Sequence, residues 1–269
     1  MFFIKFISAD KAYYINQKKK VNKMKKANEI TFSVKGKYAL FSNPLNRVSG
    51  EKFSYPVPTY EALKGVVKSI YFKPTISWYI DEVRIMNQIQ YTTQGIRPID
   101  FHGGNTLSYY TYLTDVEYQV KAHFEWNLHH DELEQDRNEN KHYFIAKKML
   151  KRGGRRAVFL GTSECQAYVE PCEYGEKSGF YDNQDTMPLG TMVHGFIYPD
   201  EWVNEDEKDK LIATFWNPTM LNGIIKFIRP EQCEIRRAVG TGEIKRFVNN
   251  VNFKSIEEEK EEGEMIELG

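Results

Sequence analysis

The stretch DVEYQVKAHFEWN, residues 115–127, alternates apolar residues with charged or polar residues along its whole length. A period of two places the apolar side chains on one face of a β-strand and the polar side chains on the other. This is the clearest strand pattern in the chain, and it predicts a sheet whose apolar face is covered by other elements.

Two strands and a helix are predicted on the N-terminal side of this stretch. Alternation over residues 30–34 predicts a first strand that stops at Gly36. Apolar residues at helical spacing follow Thr59, which predicts a helix with that residue as its N-cap and an end before Pro74. A second strand is expected over residues 76–86.

A second helix and a fourth strand are predicted on the C-terminal side. The polar residues 128–140 lead into a helix that ends at Gly153 and Gly154, and a strand follows within residues 157–169. The resulting order, βαββαβ, predicts an α+β fold of the ferredoxin-like (RRM-like) type, with two helices on one face of an antiparallel sheet. After Gly175, short apolar runs separated by turns predict a small antiparallel β subdomain.

Opposite charges are concentrated at the two ends of the 269-residue chain. Residues 1–26 contain eight lysines and one aspartate, whereas residues 254–269 contain seven glutamates and two lysines. Blocks of like charge repel each other and bury little surface, so we expect solvated or disordered appendages there. The first of them is alternatively an artefact of a start assigned upstream of Met24. The predicted segments are a basic extension (1–27), a ferredoxin-like domain (28–175), a β-rich subdomain (176–250) and an acidic tail (251–269).

Composition limits the classes of protein to consider. Hydrophobic residues make up 41% of the chain and aromatic residues 14%, which supplies a core and excludes global disorder. No stretch approaches the roughly 18 consecutive apolar residues of a membrane-spanning helix. Three cysteines without C-x-x-C spacing argue against a disulfide framework and fit a reducing cytoplasm. A net charge of zero excludes a uniformly basic nucleic-acid binder, so any such site must be a local patch.

The segment RNENKHY, residues 137–143, is the most informative candidate for chemistry. If Asn138 or Asn140 caps the second helix, Lys141 and His142 lie in its first turn, where free N–H groups and the helix dipole favour an anion. A phosphate suits this pair, because the ammonium neutralises its charge while the imidazole moves a proton. The alternative is that both side chains are solvated surface.

Tyr71 follows the first predicted helix in phase with its apolar residues. That phase favours a core aromatic. A functional interpretation buries the ring and brings the hydroxyl to a phosphate or a ribose hydroxyl.

Four cations surround two glycines in KRGGRR, residues 151–156. Arg155 and Arg156 suit bidentate contacts to phosphates that approach the glycine backbone closely. The same residues also fit a helix end, where glycines terminate the helix and cations balance its dipole.

Histidines elsewhere in the chain are weaker candidates. Lys121 and His123 share the polar face of the third strand, either as a second basic pair or as its solvent side. His129 and His130 lack the spaced carboxylate and third ligand of a zinc site, so no metal is expected.

Several motifs recur in a known order over residues 29–237. They are GKYALF (36–41), EKFSY (51–55), PTYEALKG (58–65), SIYFKPT (69–75), GIRP (95–98), GGNTL (103–107), GGRR (153–156), FLG (159–161) and GF (195–196). In these motifs the chain resembles the CRISPR-associated Cas-five family of subtype I-C (Dvulg), which belongs to the repeat-associated RNA-binding (RAMP) superfamily. The resemblance implies ferredoxin-like domains, in agreement with the predicted order of elements.

The resemblance also implies an activity, namely cleavage of CRISPR precursor RNA within each repeat, 3′ of the hairpin. Catalysis in that family is attributed to a tyrosine after the first helix and a Lys-His pair that opens the second. By motif, these residues are Tyr71, Lys141 and His142. The residues expected to bind RNA are Arg97, Lys121, Arg155 and Arg156.

The implied mechanism uses the substrate's own ribose 2′-hydroxyl as the nucleophile, so neither a metal nor a cofactor is expected. The expected partners are the repeat hairpin, its 5′ handle, the backbone and large subunits of a type I-C surveillance complex and, weakly, DNA. The expected compartment is the cytoplasm.

Two other functions compete with this one. The first is a non-catalytic RNA-binding scaffold that caps the 5′ handle in the same complex. The second is a metal-dependent nuclease acting on DNA, which ranks last because the sequence offers no convincing carboxylate cluster.

Overall fold

The computed structural model describes residues 28–44, 51–99 and 102–256. The predicted basic extension and residues 257–269 of the predicted acidic tail lie outside these ranges. The helices described are α1 (Tyr60–Ile70) and α2 (Glu139–Lys151). The strands described are β1 (Glu29–Ala39), β2 (Lys52–Phe53), β3 (Ile76–Ile85), β4 (Tyr91–Ile96), β5 (Ser108–Trp126), β6 (Val158–Phe159), β7 (Gln166–Pro171), β8 (Met187–Pro188), β9 (Met192–Ile197), β10 (Lys210–Trp216), β11 (Thr219–Met220), β12 (Ile224–Lys226) and β13 (Ile235–Thr241). The predicted α+β class is confirmed.

Strand β5 is the centre of the largest sheet, whose order is β12-β3-β5-β1-β7-β6. It pairs antiparallel with β1 and β3 on its two sides, while its N-terminal part also pairs with β4 and β2. The prediction started this strand at Asp115, but the strand begins seven residues earlier, at Ser108. Asp115 has a positive φ of 50°, and this local irregularity resembles a strand boundary although pairing continues on both sides of it.

Strand β1 also runs beyond its predicted end. Gly36 pairs with Val116 of β5 and with Ala167 of β7, so it lies inside the sheet. A Cβ at this position would lie 3.0 Å from the Leu160 side chain. Close packing therefore explains this glycine, and the predicted stop at Gly36 was wrong.

Both predicted helix starts are confirmed. The Thr59 hydroxyl accepts a hydrogen bond from the Ala62 N–H at 3.2 Å, and the Asn138 side chain accepts one from the Lys141 N–H at 3.2 Å. Asn138, rather than Asn140, is therefore the N-cap of α2. Helix α1 ends at Ile70, three residues before Lys73, because the backbone of Tyr71 is extended. In the ranges that the structure describes, no helix has the length and apolar character needed to span a membrane.

The main core lies between the central sheet and the two helices. Helix α1 contacts β3 and β9, and helix α2 contacts β1 and β7. Each fully buried aliphatic or aromatic side chain contributes about 1.5–3 kcal/mol to folding. The core includes Phe32, Leu63, Val67, Val120 and Phe124.

The polar face of β5 is covered rather than open to solvent. Gln119 is only 2% exposed, and its side-chain amide donates to the Glu176 carbonyl at 2.6 Å. Beside it, Arg84 of β3 forms an ion pair with Asp182 at 2.6 Å. The segment that follows β7 therefore packs across this face, which the alternation pattern alone assigned to solvent.

The C-terminal part of the chain is distributed over three sheets. Strands β9, β10 and β13 form a separate three-stranded antiparallel sheet, and β8 pairs with β11. Strand β12 instead extends the central sheet by pairing with β3. The predicted limits of 28–175 and 176–250 stay predictions.

Gly161 provides a test of the packing between the β6–β7 turn and the start of the β1–β2 connection. Its φ is +102°, and an added Cβ would lie 1.9 Å from the Leu40 carbonyl oxygen. We expect Gly161→Ala to lower the free energy of unfolding by roughly 3 kcal/mol, because the clash adds to the backbone strain. Urea denaturation followed by circular dichroism measures this loss.

The matched control is Gly175→Ala. Gly175 has a similar φ of +88°, but an added Cβ would have no neighbour within 4 Å. Its loss should be limited to about 1 kcal/mol of backbone strain. Equal losses for the two variants would contradict the role assigned to the Leu40 contact.

Candidate active site

Tyr71 and His142 meet at the junction of the two helices. Tyr71 is the first residue after α1, His142 lies in the first turn of α2, and the Tyr71 hydroxyl oxygen is 2.9 Å from His142 Nδ1. His142 Nε2 lies 2.8 Å from the Asp136 carbonyl oxygen. A carbonyl only accepts, so Nε2 carries a proton, and in the neutral imidazole Nδ1 then accepts the hydrogen bond that Tyr71 donates.

Backbone contacts fix both side chains in place. The Tyr71 N–H closes the last turn of α1 on the Val67 carbonyl, and the Tyr71 carbonyl accepts a hydrogen bond from the Trp78 indole at 2.8 Å. The His142 N–H donates to the carbonyl of the N-cap residue Asn138 at 3.1 Å. The helix boundaries that the sequence encodes therefore position the Tyr–His pair.

Aromatic rings enclose the His142 imidazole. The rings of Trp126 and Phe124 lie edge-on to it, with centroid distances of 5.5 and 6.2 Å. Tyr71 and His142 are both 0% exposed. The alternative that His142 is solvated surface is therefore wrong, whereas the ring of Tyr71 lies in the core as its helical phase indicated. The pair is closed to solvent in this structure.

Asp136 is a member of this cluster that the sequence interpretation missed. It ends a short 3₁₀ turn (Asp131–Asp136), and its carboxylate accepts from the Thr75 hydroxyl at 2.7 Å and from the Ile256 N–H at 2.8 Å. One carboxylate oxygen lies 3.6 Å from His142 Nε2. No local sequence pattern links these residues, since the hydrogen-bond partners are 61 and 120 positions away.

Lys141 and the GGRR motif are attached to the two helix ends that form this junction. Lys141 precedes His142 in α2 and is half-buried. The backbone N–H groups of Arg155 and Arg156 both donate to the Ser69 carbonyl at 3.0 Å, which docks the motif on the last turn of α1. Both arginine residues are exposed, so their positive charges lie on the surface near the end of the helix that carries Tyr71.

The other two predicted RNA-binding residues lie elsewhere. Arg97 is exposed directly after β4, in the connection to β5. Lys121 lies on the face of β5 opposite to the helices, with its ammonium 5.0 Å from the centroid of the Tyr174 ring. The structure therefore does not bring Lys121 together with Tyr71 and His142.

His123 belongs to an ion-pair network on that opposite face. Its Nδ1 is 2.9 Å from the Asp81 carboxylate, and its Nε2 is 3.5 Å from the Glu125 carboxylate. Burial alone would lower the pKa of His123, but the hydrogen bonds to the two carboxylates outweigh burial and raise this pKa to about 9. His123 is thus a cation at neutral pH, unsuited to accept a proton.

The adjacent histidines also have structural partners. His129 Nε2 lies 2.9 Å from the Trp202 carbonyl oxygen, and His130 Nδ1 lies 3.0 Å from the Glu132 carboxylate. In the described part of the chain, no three His, Cys, Asp or Glu side chains are grouped so that they could hold a metal ion.

The network around His123 predicts how stability depends on pH. Because the folded-state pKa is raised from 6.5 to about 9, His123 contributes its full stabilisation below pH 6.5 and loses it as the pH rises through about 9. The difference in free energy of unfolding between the wild type and His123→Gln should therefore shrink between pH 7 and 9.5. Urea denaturation across this range measures it.

His129→Gln is the control for this measurement. Burial lowers the pKa of His129 below its ordinary value of 6.5, so its protonation does not change in the folded protein above pH 7. Its effect on stability should stay constant from pH 7 to 9.5, and parallel curves for the two variants would contradict the assignment.

Comparison with known proteins places the chain in a family. A family model described as CRISPR-associated protein (Cas_Cas5), of the Cas5d group, matches residues 29–228. A CRISPR pre-crRNA endoribonuclease Cas5d from Mannheimia succiniciproducens is 25% identical over 229 residues, which is 74% of this chain and 94% of the relative. A protein of the same description from Thermus thermophilus is 29% identical over 178 residues, covering 62% of this chain and 72% of the relative.

Two solved structures are also similar. A crystal structure described as a CRISPR-associated protein has 37% sequence identity and a TM-score of 0.65, and the match covers 78% of this chain and 96% of the other. A functionally uncharacterized protein from Streptococcus mutans has 39% identity and a TM-score of 0.64, with the same coverage. The chain therefore belongs to the Cas5d family of CRISPR-associated proteins.

Proposed function

We propose that this protein is a metal-independent endoribonuclease that cleaves CRISPR precursor RNA within each repeat, 3′ of the hairpin. The observation that carries the proposal is the hydrogen bond from the Tyr71 hydroxyl to the unprotonated Nδ1 of His142. Two relatives that match along much of this chain are described as CRISPR pre-crRNA endoribonucleases, which supports the same activity here.

The chemistry needs a proton path and a stabiliser of charge. The ribose 2′-oxygen bonds to phosphorus while the bond from phosphorus to the 5′-oxygen breaks. The 2′-hydroxyl proton passes to the Tyr71 oxygen as the Tyr71 proton passes to His142 Nδ1, and the reverse transfer protonates the leaving 5′-oxygen. The Lys141 ammonium stabilises the pentavalent phosphate. The products are a 2′,3′-cyclic phosphate and a 5′-hydroxyl.

Substrate recognition follows from the positions of the cations. Arg155 and Arg156 contact phosphates near the end of α1, and Arg97 contacts RNA from the β4–β5 connection. Lys121 faces away from the cluster, so its contribution is to flanking RNA or to none. The protein then stays on the 5′ handle in the cytoplasm, joins the backbone and large subunits of a type I-C surveillance complex and binds DNA weakly.

The fold of the RNA-processing part is proposed to be ferredoxin-like. The six elements β1, α1, β3, β5, α2 and β7 follow one another in the order βαββαβ. Their strands lie side by side as β3-β5-β1-β7, with antiparallel pairs throughout. This strand order and the shared helix face support the proposal.

A second candidate function is a non-catalytic RNA-binding scaffold. The complete burial of Tyr71 and His142 favours it, because neither side chain reaches solvent in this structure. A hydrogen-bonded Tyr–His pair, in contrast, has no use in such a scaffold beyond packing. Cleavage assays on variants distinguish the two functions.

We expect His142→Gln and Tyr71→Phe to lower the rate of repeat RNA cleavage by about 10²–10⁴-fold, since each breaks the proton path. Tyr71→Phe keeps the buried ring, so this variant should stay folded and its loss of activity can be assigned to the missing hydroxyl. His129→Gln is the matched control, because His129 also contacts a backbone carbonyl but lies outside the cluster. Single-turnover cleavage on denaturing gels gives the rates.

The substrate provides an independent check. A 2′-deoxy nucleotide at the scissile position should abolish cleavage without weakening binding, and excess EDTA should leave cleavage unchanged. Cleavage of the deoxy substrate would contradict attack by the 2′-hydroxyl. Binding of repeat RNA without any cleavage by the wild type would favour the scaffold.

A further inference from the structure

Asp136 is a buried carboxylate whose partners are largely neutral. The residue is 4% exposed, and its two oxygens accept hydrogen bonds from the Thr75 hydroxyl and the Ile256 N–H. Within the described ranges, no lysine or arginine forms an ion pair with it. The ionisable side chain nearest to its carboxylate is His142, with Nε2 at 3.6 Å.

Burying a carboxylate without a cation costs free energy that two neutral hydrogen bonds offset only in part. That cost falls when the adjacent imidazole gains a proton, because the two opposite charges then attract each other in a water-excluded environment. The Asp136 site is therefore arranged for an imidazolium at His142. In the proposed reaction, His142 becomes an imidazolium when it takes the proton from Tyr71.

We propose that Asp136 is the positioning residue of the cluster, an inference that rests on the proposed ribonuclease function. Its backbone carbonyl holds the proton on Nε2, which leaves Nδ1 free to accept from Tyr71. Its carboxylate stabilises the imidazolium that forms during cleavage. Tyr71, His142 and Asp136 thus form one hydrogen-bonded chain, in which only the Tyr71 end meets the substrate.

The test compares Asp136→Asn with Thr75→Val. Asp136→Asn keeps the shape and the backbone carbonyl but removes the negative charge, and we expect about a 100-fold lower single-turnover rate with unchanged RNA affinity. Thr75→Val removes one hydrogen bond but leaves the charge, so a loss of about tenfold or less is expected. Gel-shift binding and thermal unfolding are measured on the same samples.

The outcomes separate three cases. A slow Asp136→Asn variant with wild-type affinity supports the positioning role. Equal losses of rate, affinity and thermal stability would overturn it in favour of a purely structural carboxylate. Wild-type cleavage by Asp136→Asn, while His142→Gln is inactive, would overturn this inference alone, whereas full activity of His142→Gln would overturn the proposed function itself.

A different set of contacts concerns how RNA reaches the cluster. The Lys73 ammonium donates to the Lys254 carbonyl at 2.7 Å and lies 5.2 Å from the centroid of the Phe253 ring. Ile256 is 1% exposed. Residues 253–256 thus contact Lys73 at one end and Asp136 at the other. Lys73 is two positions after Tyr71, and Asp136 contacts His142. They also lie beyond residues 29–228, the range that the family model matches.

We infer that residues 253–256 are a cover that RNA must displace before cleavage, which again rests on the proposed function. Tyr71 and His142 are fully buried, and the segment is docked on two of their neighbours, Lys73 and Asp136. The docking contacts include the ammonium–carbonyl bond, the ring contact, the Ile256 N–H bond to the Asp136 carboxylate and the buried isoleucine side chain, and a polyanion can compete for the Lys73 ammonium.

Hydrogen exchange tests the cover without requiring catalysis. The Ile256 N–H is hydrogen-bonded to Asp136 and should exchange slowly in the free protein. Adding repeat RNA with a 2′-deoxy scissile nucleotide should accelerate its exchange by about tenfold or more. Unchanged protection with RNA bound would overturn the inference. This result would leave the proposed function intact as long as normal repeat RNA is cleaved.

A matched pair of variants gives a second readout. Ile256→Ala weakens a buried contact, whereas Val251→Ala alters a side chain that is 78% exposed in the same part of the chain. We expect Ile256→Ala to cleave at least about threefold faster than the wild type, because the closed state is less favoured, and Val251→Ala to match the wild type. Slower cleavage by Ile256→Ala alone would show that the segment assists the site and would overturn its role as a cover.

Discussion

The hydrogen bond between Tyr71 and His142 joins the end of one helix to the beginning of the other. It is sheltered by the rings of Trp126 and Phe124, so water does not compete for the imidazole. The sheet presents these rings, the helix boundaries set the two side chains face to face, and Asp136 fixes the proton on the far nitrogen. The fold therefore determines the geometry of this one hydrogen bond, on which the proposed chemistry depends.

Local features of the sequence predicted the parts of the structure that depend on local interactions. The cap Thr59 was correct, and Asn138 is the cap among the two asparagines considered, because a side chain and a backbone N–H three residues apart decide each cap. The ends of β1 and β5 were wrong because Gly36 and Asp115 resemble strand boundaries, whereas pairing with distant strands carries both strands through. Alternation also could not reveal that the segment after β7 covers the polar face of β5.

In the candidate site, too, the sequence indicated the residues that belong to local patterns and missed those that depend on distant contacts. Lys141 and His142 became candidates because a helix start favours an anion, Tyr71 because its hydroxyl could reach a phosphate, and the family resemblance then favoured the functional interpretation of all three. Asp136 could not be found, since its partners are Thr75, which precedes β3, and Ile256 of the C-terminal segment. Lys121 was grouped with the other cations by charge alone, and the sheet places it on the opposite face.

Among the strands of the central sheet, β12 is the last to be synthesised. Its residues pair with β3, about 140 positions earlier in the chain, so the sheet edge stays unpaired on the ribosome until nearly all of residues 29–228 have emerged. Such long-range pairing slows folding and leaves a nascent edge open to misassociation. A C-terminal truncation that removes β12 would leave this part of the β3 edge without its partner strand.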